Sequence, residues 1–321
     1  HIDLKGETGP EHVAIGPDGK LYTSVEGGKV IRMNPDGSGQ QVFAKTGGRI
    51  LGFDLTKLCH EGPADRLDAT DMSQPAIFVT SVAVWRALEA QGIAAELDPS
   101  AMAGLSLGEY SALHLAGWLT FKDALTLVAR RGKLMQAAAE SSSGGMVSIM
   151  GLDDEQTLRL CEEAAGGEVL APANYNCRGQ IVISGTKTAC DRAVNLAEKH
   201  GGRAVALNVA GAFHSALMGP AVDGLTEALQ STRITPGTIP VVANVSAGYH
   251  GDPDSVRASL REQVAKPIRW QTSIERLIAE GFDRFAEVGP GRVLTGLMRK
   301  INRTVKAVNF STAAALTGAT V

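Results

Sequence analysis

The sequence predicts an α/β protein in which a larger parallel-sheet domain is interrupted by a small one. Three observations predict it. From about Arg49 onward, helical apolar spacing alternates with short apolar runs of strand length. Between residues 146 and 209 the rhythm changes to strand–helix–strand–strand–helix–strand. Before residue 49 neither pattern holds, and short alternating stretches between turn signals predict β-hairpins.

The elements follow in order. Residues 1–48 form an atypical β-hairpin segment: the turn signals Pro17-Asp18-Gly19 and Asn34-Pro35-Asp36-Gly37 flank Lys20–Val25 and Lys29–Met33, and Gln40–Ala44 adds a third stretch. The larger domain takes residues 49–145 and 210–321. Gln74–Gln91 places Ile77, Val79, Val82, Trp85 and Leu88 at helical spacing, with Pro75 in the first turn of a buried helix. Ala101–Leu105 predicts a strand, Ser106–Ala116 a helix and Phe121–Ala139 another, and the Ser/Gly stretch Ser141–Gly145 marks a boundary.

The small domain, residues 146–209, begins with strand Met146–Met150 and helix Asp153–Ala165, where Asp153 and Gln156 are spaced as a capping box. Strands Glu168–Ala173 and Gln180–Ser184, helix Thr186–His200 and strand Arg203–Val209 complete it. That order, βαββαβ, is a ferredoxin-like unit inserted in the chain. Helices at Ala216–Leu229, Asp254–Gln263 and Trp270–Glu280, a strand near Pro240–Asn244 and the turn Val288-Gly289-Pro290-Gly291-Arg292 return to the larger domain.

Composition excludes several function classes. The chain has 321 residues, 20% of them charged, and a net charge of −3, which gives no basic field for nucleic acid. No apolar run is long enough to span a bilayer. Cys59, Cys161, Cys177 and Cys190 are scattered without CxxC spacing, the usage of a reduced, cytoplasmic protein. Phosphate-binding loops, dinucleotide fingerprints and zinc-ligand spacings are missing, so neither a permanently bound cofactor nor a metal is expected. The opening His1-Ile2-Asp3-Leu4 is neither a signal peptide nor an initiator-Met start, as expected of a chain that begins inside a longer reading frame.

The chemistry centres on Gly104-x-Ser106-x-Gly108, the pattern of a nucleophile elbow, which lifts a serine hydroxyl out of a sharp strand-to-helix turn. Flanking glycines are expected where helix and strand backbones approach too closely for a Cβ, and the free N–H groups of the following helix can hold an oxyanion. The pattern alone is weak, and a serine nucleophile needs a base. His1, His12, His60 and His250 stand in terminal or turn-like contexts. His114 lies eight residues along the same predicted helix, too far to reach, and His200 ends a helix beside Gly201-Gly202. His214, where a strand gives way to a helix, is left by elimination, with a purely structural histidine as the alternative. Arg131 reads either as part of a solvated cationic face or as a planar fork for a substrate carboxylate. Gln263 reads as a helix-end residue, and Asn174 and Asn176 as turn formers around Tyr175.

Taken together, the residues from about Arg49 to Ala313 resemble the malonyl-CoA:acyl-carrier-protein transacylase family of fatty acid synthesis. The resemblance rests on Leu51-Gly-Phe-Asp-Leu with Glu61-Gly-Pro, Ser73-Gln-Pro-Ala, Gly104-Leu-Ser-Leu-Gly-Glu-Tyr-Ser-Ala-Leu, Arg131-Gly-Lys-Leu-Met-Gln, Asn174-Tyr-Asn, Phe213-His-Ser-Ala-Leu-Met, Pro267-Ile-Arg-Trp and Glu287-Val-Gly-Pro-Gly. It implies a hydrolase-like larger domain and ping-pong transfer of a malonyl group from malonyl-CoA to the phosphopantetheine thiol of acyl carrier protein. Ser106 would be the nucleophile, His214 the base and Gln263 the support of the His214 side. Arg131 would hold the malonyl carboxylate, the Leu107 N–H would receive the oxyanion, and Phe213 and Asn174 would belong to the substrate site. The acidic carrier implies a basic docking patch, for which Lys187, Arg203, Arg299, Lys300 and Arg303 are candidates.

Two departures accompany the resemblance. Leu105 stands where many members have His. The family's opening strand and Pro-Gly-Gln-Gly-type loop, which supplies a second oxyanion donor, has no counterpart; Ser24-Val25-Glu26-Gly27-Gly28 lies at that distance. Lys20–Val25 is the candidate substitute strand for the parallel sheet. Residues 9–46 instead resemble a fragment of a gluconolactonase or strictosidine-synthase-like β-propeller, through Gly9-Pro-Glu-His-Val-Ala, Pro17-Asp-Gly-Lys-Leu-Tyr and Pro35-Asp-Gly-Ser-Gly. One blade cannot bury its own faces, so the chain reads as a join of two sequences near residue 48. Three functions stay open: a transacylase, an impaired chimera that binds coenzyme A or carrier protein, and a serine esterase using the same elbow.

Overall fold

The computed structural model describes residues 13–15, 20–25, 29–36, 38–45, 48–312 and 315. Strands β1 (Val13–Ile15), β2 (Leu21–Val25), β3 (Lys29–Met33) and β4 (Gln41–Lys45) pair in chain order as an antiparallel meander. The Asn34 turn joins β3 to β4: the Asn34 N–H donates to Ser38 O at 2.8 Å and the Ser38 N–H to Asp36 Oδ1 at 2.8 Å. The turn signal Pro17-Asp18-Gly19, the pair Gly27-Gly28, residues 1–12 with His1 and His12, and Gly37 lie outside the described residues. Lys20–Val25 does not serve the parallel sheet. β2 is paired on both edges, to β1 and to β3, because strands close together in sequence meet first.

Short helices α1 (Gly48–Leu51), α2 (Leu55–Glu61) and α3 (Ala64–Asp68) lead into α4 (Thr70–Ala90) and α5 (Ile93–Leu97). α4 starts a turn earlier than its apolar spacing predicts, so Pro75 lies inside it rather than in its first turn. The cause is tertiary: Gln136 Oε1, from α7 (Phe121–Ser141), accepts the Thr70 N–H at 3.1 Å and caps the new start. α6 (Leu107–Leu115) and α7 pack with α4 around Phe78, Tyr110, Leu113, Leu125 and Val128, all buried.

The next stretch holds β5 (Gly144–Met150), α8 (Asp154–Ala165), β6 (Leu170–Cys177), β7 (Gln180–Thr186), α9 (Lys187–Leu196) and β8 (Arg203–Ala206). Its strands pair antiparallel in the order β6-β7-β5-β8. Asp153 and Gln156 exchange both bonds of a capping box at 2.8 and 2.9 Å. Val147, Ile149 and Ile183 face Leu160, Ala189 and Ala193 of the two helices, while Met146 and Val182, on the opposite face, meet Phe213.

The chain then returns through α10 (Gly219–Ser231), α11 (Pro253–Gln263), α12 (Trp270–Ala279), β9 (Arg284–Val288), α13 (Val293–Ile301) and β10 (Lys306–Phe310). β9 and β10 pair in parallel, and Met102 forms a parallel bridge with Val241. The expected strand Ala101–Leu105 is thus reduced to one bridge, because it has a neighbour on one edge; its other edge borders a cavity of about 580 Å³.

Candidate active site

Ser106 stands where the Ala101–Gly104 segment turns into α6, with φ 51° and ψ −103°, a backbone region that non-glycine residues rarely occupy. Asn244 holds this turn from both sides. Its Oδ1 accepts the Ser106 N–H at 2.6 Å and its Nδ2 donates to Gly104 O at 2.7 Å. The glycines are unequal. A Cβ at Gly104 would lie 2.0 Å from the Gly108 carbonyl carbon, so strand and helix touch there; a Cβ at Gly108 would meet nothing within 4 Å. The expectation that close approach demands both glycines therefore holds for Gly104 and is corrected for Gly108. Leu107 opens α6, so its N–H has no intrahelical acceptor and is free for an incoming oxygen.

The Ser106 Oγ lies 2.9 Å from His214 Nε2, and His214 Nδ1 lies 2.6 Å from the backbone carbonyl of Gln263. A carbonyl can only accept, so Nδ1 carries the proton and the Nε2 lone pair faces the serine hydroxyl. Burial first, and the charge of Arg131 second, lower the His214 pKa to about 4, which keeps the ring neutral at neutral pH. His214 also has positive φ, at 58°.

Arg131 is 1% exposed, so it does not belong to a solvated face. Its Nη1 donates to Gln74 Oε1 at 2.6 Å, and its Nη2 to Ser106 Oγ at 2.8 Å and Gln263 Oε1 at 3.0 Å. All three partners are neutral, and among the described residues no carboxylate stands within ion-pair distance of it. Burial pulls the guanidinium below its ordinary value, yet an arginine stays protonated in a protein. α7 reaches this depth because Gly132 lets it lie on α4; a Cβ there would sit 2.9 Å from Thr70 O.

Behind these groups stands Glu109, fully buried. Its carboxylate accepts Gln263 Nε2 at 2.7 Å and the Asn244 N–H at 3.1 Å, and lies 2.9 Å from His250 Nε2. The turn-like context read for His250 is corrected: the ring is buried against Glu109 and Trp118. The sequence reading gives no site role to Gln74, Glu109, Asn244 or His250, although Gln74 and Glu109 stand inside motifs that carry the resemblance, and Glu109 lies three residues after Ser106, one helical turn on. His114 turns away from Ser106, bonding Leu119 O at 3.0 Å and packing on Phe78 and Phe121. Phe213 adjoins His214 and packs on Met146, Ala173 and Val182. Asn174 lies on β6, at a bridge to Ile268, with a buried Oδ1 that has no partner; it takes no part in the hydrogen-bond network around Ser106.

Residues 43–319 match the family model described as acyl transferase domain. The chain belongs to the acyl transferase domain family. A second model, strictosidine synthase-like, N-terminal, matches residues 1–33, in agreement with the second resemblance read from the sequence. The acyl transferase is 43% identical over 281 residues to the malonyl CoA-acyl carrier protein transacylase of Salmonella typhimurium, covering 87% of this chain and 90% of that protein. It is 42% identical over 259 residues to the enzyme of the same name from Bacillus subtilis, covering 80% of each. Among solved structures it superposes on the transacylase of Coxiella burnetii with a TM-score of 0.81, at 38% identity over 84% of this chain and 85% of that one. A malonyl-transacylase solved in complex with a type II PKS acyl-carrier protein gives 0.80, at 41% identity over 84% and 87%.

Proposed function

We propose that this acyl transferase moves a malonyl group from malonyl-CoA to the phosphopantetheine thiol of acyl carrier protein through an acyl-enzyme on Ser106. One observation carries the choice of acyl group: a fully buried guanidinium with neutral partners, 2.8 Å from the nucleophile. A buried charge whose direct hydrogen-bond partners are all neutral is costly, and a carboxylate entering beside Ser106 would relieve that cost. Malonyl brings such a carboxylate, and a neutral ester does not.

In the first half-reaction Ser106 Oγ attacks the thioester carbonyl and its proton passes to His214 Nε2. The Leu107 N–H receives the oxyanion, and collapse expels the coenzyme A thiolate, which takes the proton back. In the second, the carrier thiol attacks the Ser106 ester, its proton goes to His214, and Ser106 recovers it on leaving. The Gln263 carbonyl fixes the His214 tautomer, the task a buried carboxylate performs in a serine triad. The Gln263 amide, held by Glu109, orients Arg131.

In this reading residues 49–145 and 210–321 form the catalytic domain, residues 146–209 an inserted ferredoxin-like subdomain and residues 1–48 a separate β segment. The helix-backed β6-β7-β5-β8 order and its own buried cluster support the division. Exposed Arg203, Arg299, Lys300 and Arg303, with Lys187 paired to Asp191, are the candidates for carrier docking. Four unpaired cysteines fit a reduced, cytoplasmic setting.

Intact-mass analysis after incubation with malonyl-CoA tests the proposal. One malonyl group on the wild-type chain, none on Ser106→Ala, and its onward transfer to phosphopantetheinylated carrier protein are the expected results. Coenzyme A or carrier binding without labelling of Ser106 would instead identify an impaired chimera.

A further inference from the structure

The cavity of about 580 Å³ lies between two strand edges. On one side, Met102 turns both backbone groups to its neighbour: its N–H donates to Pro240 O at 2.8 Å, and its carbonyl accepts the Val242 N–H at 2.9 Å. In extended chain the groups of Ala101 and Ala103 then point the other way, into the cavity. On the far side, the Lys306 N–H donates to Asp283 O at 2.8 Å, and the Gly289 N–H to Phe310 O at 3.2 Å. With the parallel register of β9 on β10, this commits Phe285 and Glu287 to β10 and leaves Arg284, Ala286 and Val288 facing the same cavity. All five outward-facing residues line it; among the described residues Ala101 and Ala103 make no backbone hydrogen bond, and the register turns the Ala286 backbone groups away from β10. α4 walls one part with Ile77 and Trp85, and α12 another with Trp270, Ile274 and Leu277.

Two unsatisfied ladders facing one apolar space require a partner that is apolar in its side chains and a regular donor and acceptor in its backbone. We propose that this cavity is a strand slot that binds an extended apolar segment of a separate polypeptide, which pairs with Ala101–Ala103 on one edge and β9 on the other. Small apolar molecules would fill the volume but leave both ladders unpaired. The chain's own hairpin strands are a poor source, since β2 and β3 are paired on both edges. Residues 1–12 carry Asp3, Lys5, Glu7 and Glu11, a charge pattern that apolar walls reject. An occupant buried on both faces needs a continuous run of β-branched and aromatic residues.

The test uses the full chain and a fluorescein-labelled synthetic peptide, Lys-Lys-Val-Ile-Phe-Val-Phe, whose lysines provide solubility. Fluorescence anisotropy should show saturable binding, and bound peptide should slow hydrogen exchange at the Ala101, Ala103 and Ala286 amides. The same peptide N-methylated at alternate amides keeps its side chains but loses the donors along one edge, and should bind about tenfold more weakly or worse. Ala286→Pro removes an N–H that the register turns away from β10, at an edge position where proline is tolerated. It should weaken the parent peptide about tenfold while leaving the thermal midpoint within a few degrees. Ala101→Pro tests the opposite edge in the same way. Equal binding of the two peptides would make the cavity an ordinary apolar pocket and overturn the proposal, as would slow exchange at these amides without peptide, or no saturable binding. None of these readouts involves malonyl transfer, so the transacylase reading stands or falls separately.

Discussion

Ser106 has two unlike flanks. On one, Gln263 alone makes five hydrogen bonds, to Arg131, His214, Glu109, Asn244 and the Ser106 carbonyl. On the other, the segment leading to the elbow has a neighbour on one edge and open space on the next. Both flanks belong to the same turn. The strained serine backbone is held from the networked side, where the positions of Asn244, Gln263 and Arg131 are over-determined. Completing the sheet is a separate matter from shaping the Ser106 turn.

Gly104→Ala disrupts the Ser106 turn most severely. A Cβ 2.0 Å from the Gly108 carbonyl carbon forces α6 off the strand segment, and with it the Ser106 and Leu107 groups. A loss of roughly 3 kcal/mol or more in urea unfolding is expected, together with loss of the malonyl-enzyme. Unchanged stability would show that the elbow is not pinned where strand and helix touch.

Arg131→Ala comes next. It empties the buried cation from the networked flank, and malonyl transfer should fall by ~10²–10³. Hydrolysis of an uncharged ester at Ser106 should change far less, because no carboxylate needs a partner there. Equal losses for both substrates would make Arg131 a structural prop rather than a carboxylate fork.

The pH dependence is a smaller and sharper probe. The folded His214 value, about 4, lies below the ordinary 6.5. Between the two, the unfolded chain binds more protons, so this group's contribution to stability is full above 6.5 and is lost as pH falls toward about 4. Acylation rate should stay level as pH drops below neutrality and decline through about 4. Since the Arg131 charge is the second cause of the shift, Arg131→Gln should move that acid limb upward. An acid limb near 6.5 in the wild type would mean that His214 is not held neutral by burial.

How much of this was legible follows from the range of each signal. Apolar spacing and local caps gave α7, α8 and the β6-β7-β5-β8 unit to within a few residues, because those signals lie within one turn of where they act. The start of α4 was not legible, since its cap comes from Gln136, 66 residues away. At the site, Ser106 could be found from its elbow and His214 by elimination, but the depth of Arg131 could not. That depth depends on Gly132 lying on Thr70 and on Gln74 reaching across from another helix. His250 was read as a turn residue because its partner, Glu109, is 141 residues distant. Of the residues that hold Ser106, His214 and Arg131, Gln263 was named through the resemblance, while Asn244 and His250 were hidden because they act only through long-range packing.

The mildest change falls on the open flank. Gly108 sits on α6, and a methyl group there would meet nothing within 4 Å, because it points toward the cavity rather than toward Gly104. Gly108→Ala should therefore stabilise the chain by about 0.5–1 kcal/mol, the ordinary gain of alanine over glycine inside a helix, and leave Ser106 acylation intact. The same methyl group narrows the slot, so peptide binding should weaken while stability rises. A variant that is more stable, still acylated and poorer at taking up the strand would separate the two flanks of the serine in one protein. If acylation fell along with peptide binding, the two flanks would be coupled through α6, and the nucleophile would depend on the open side after all.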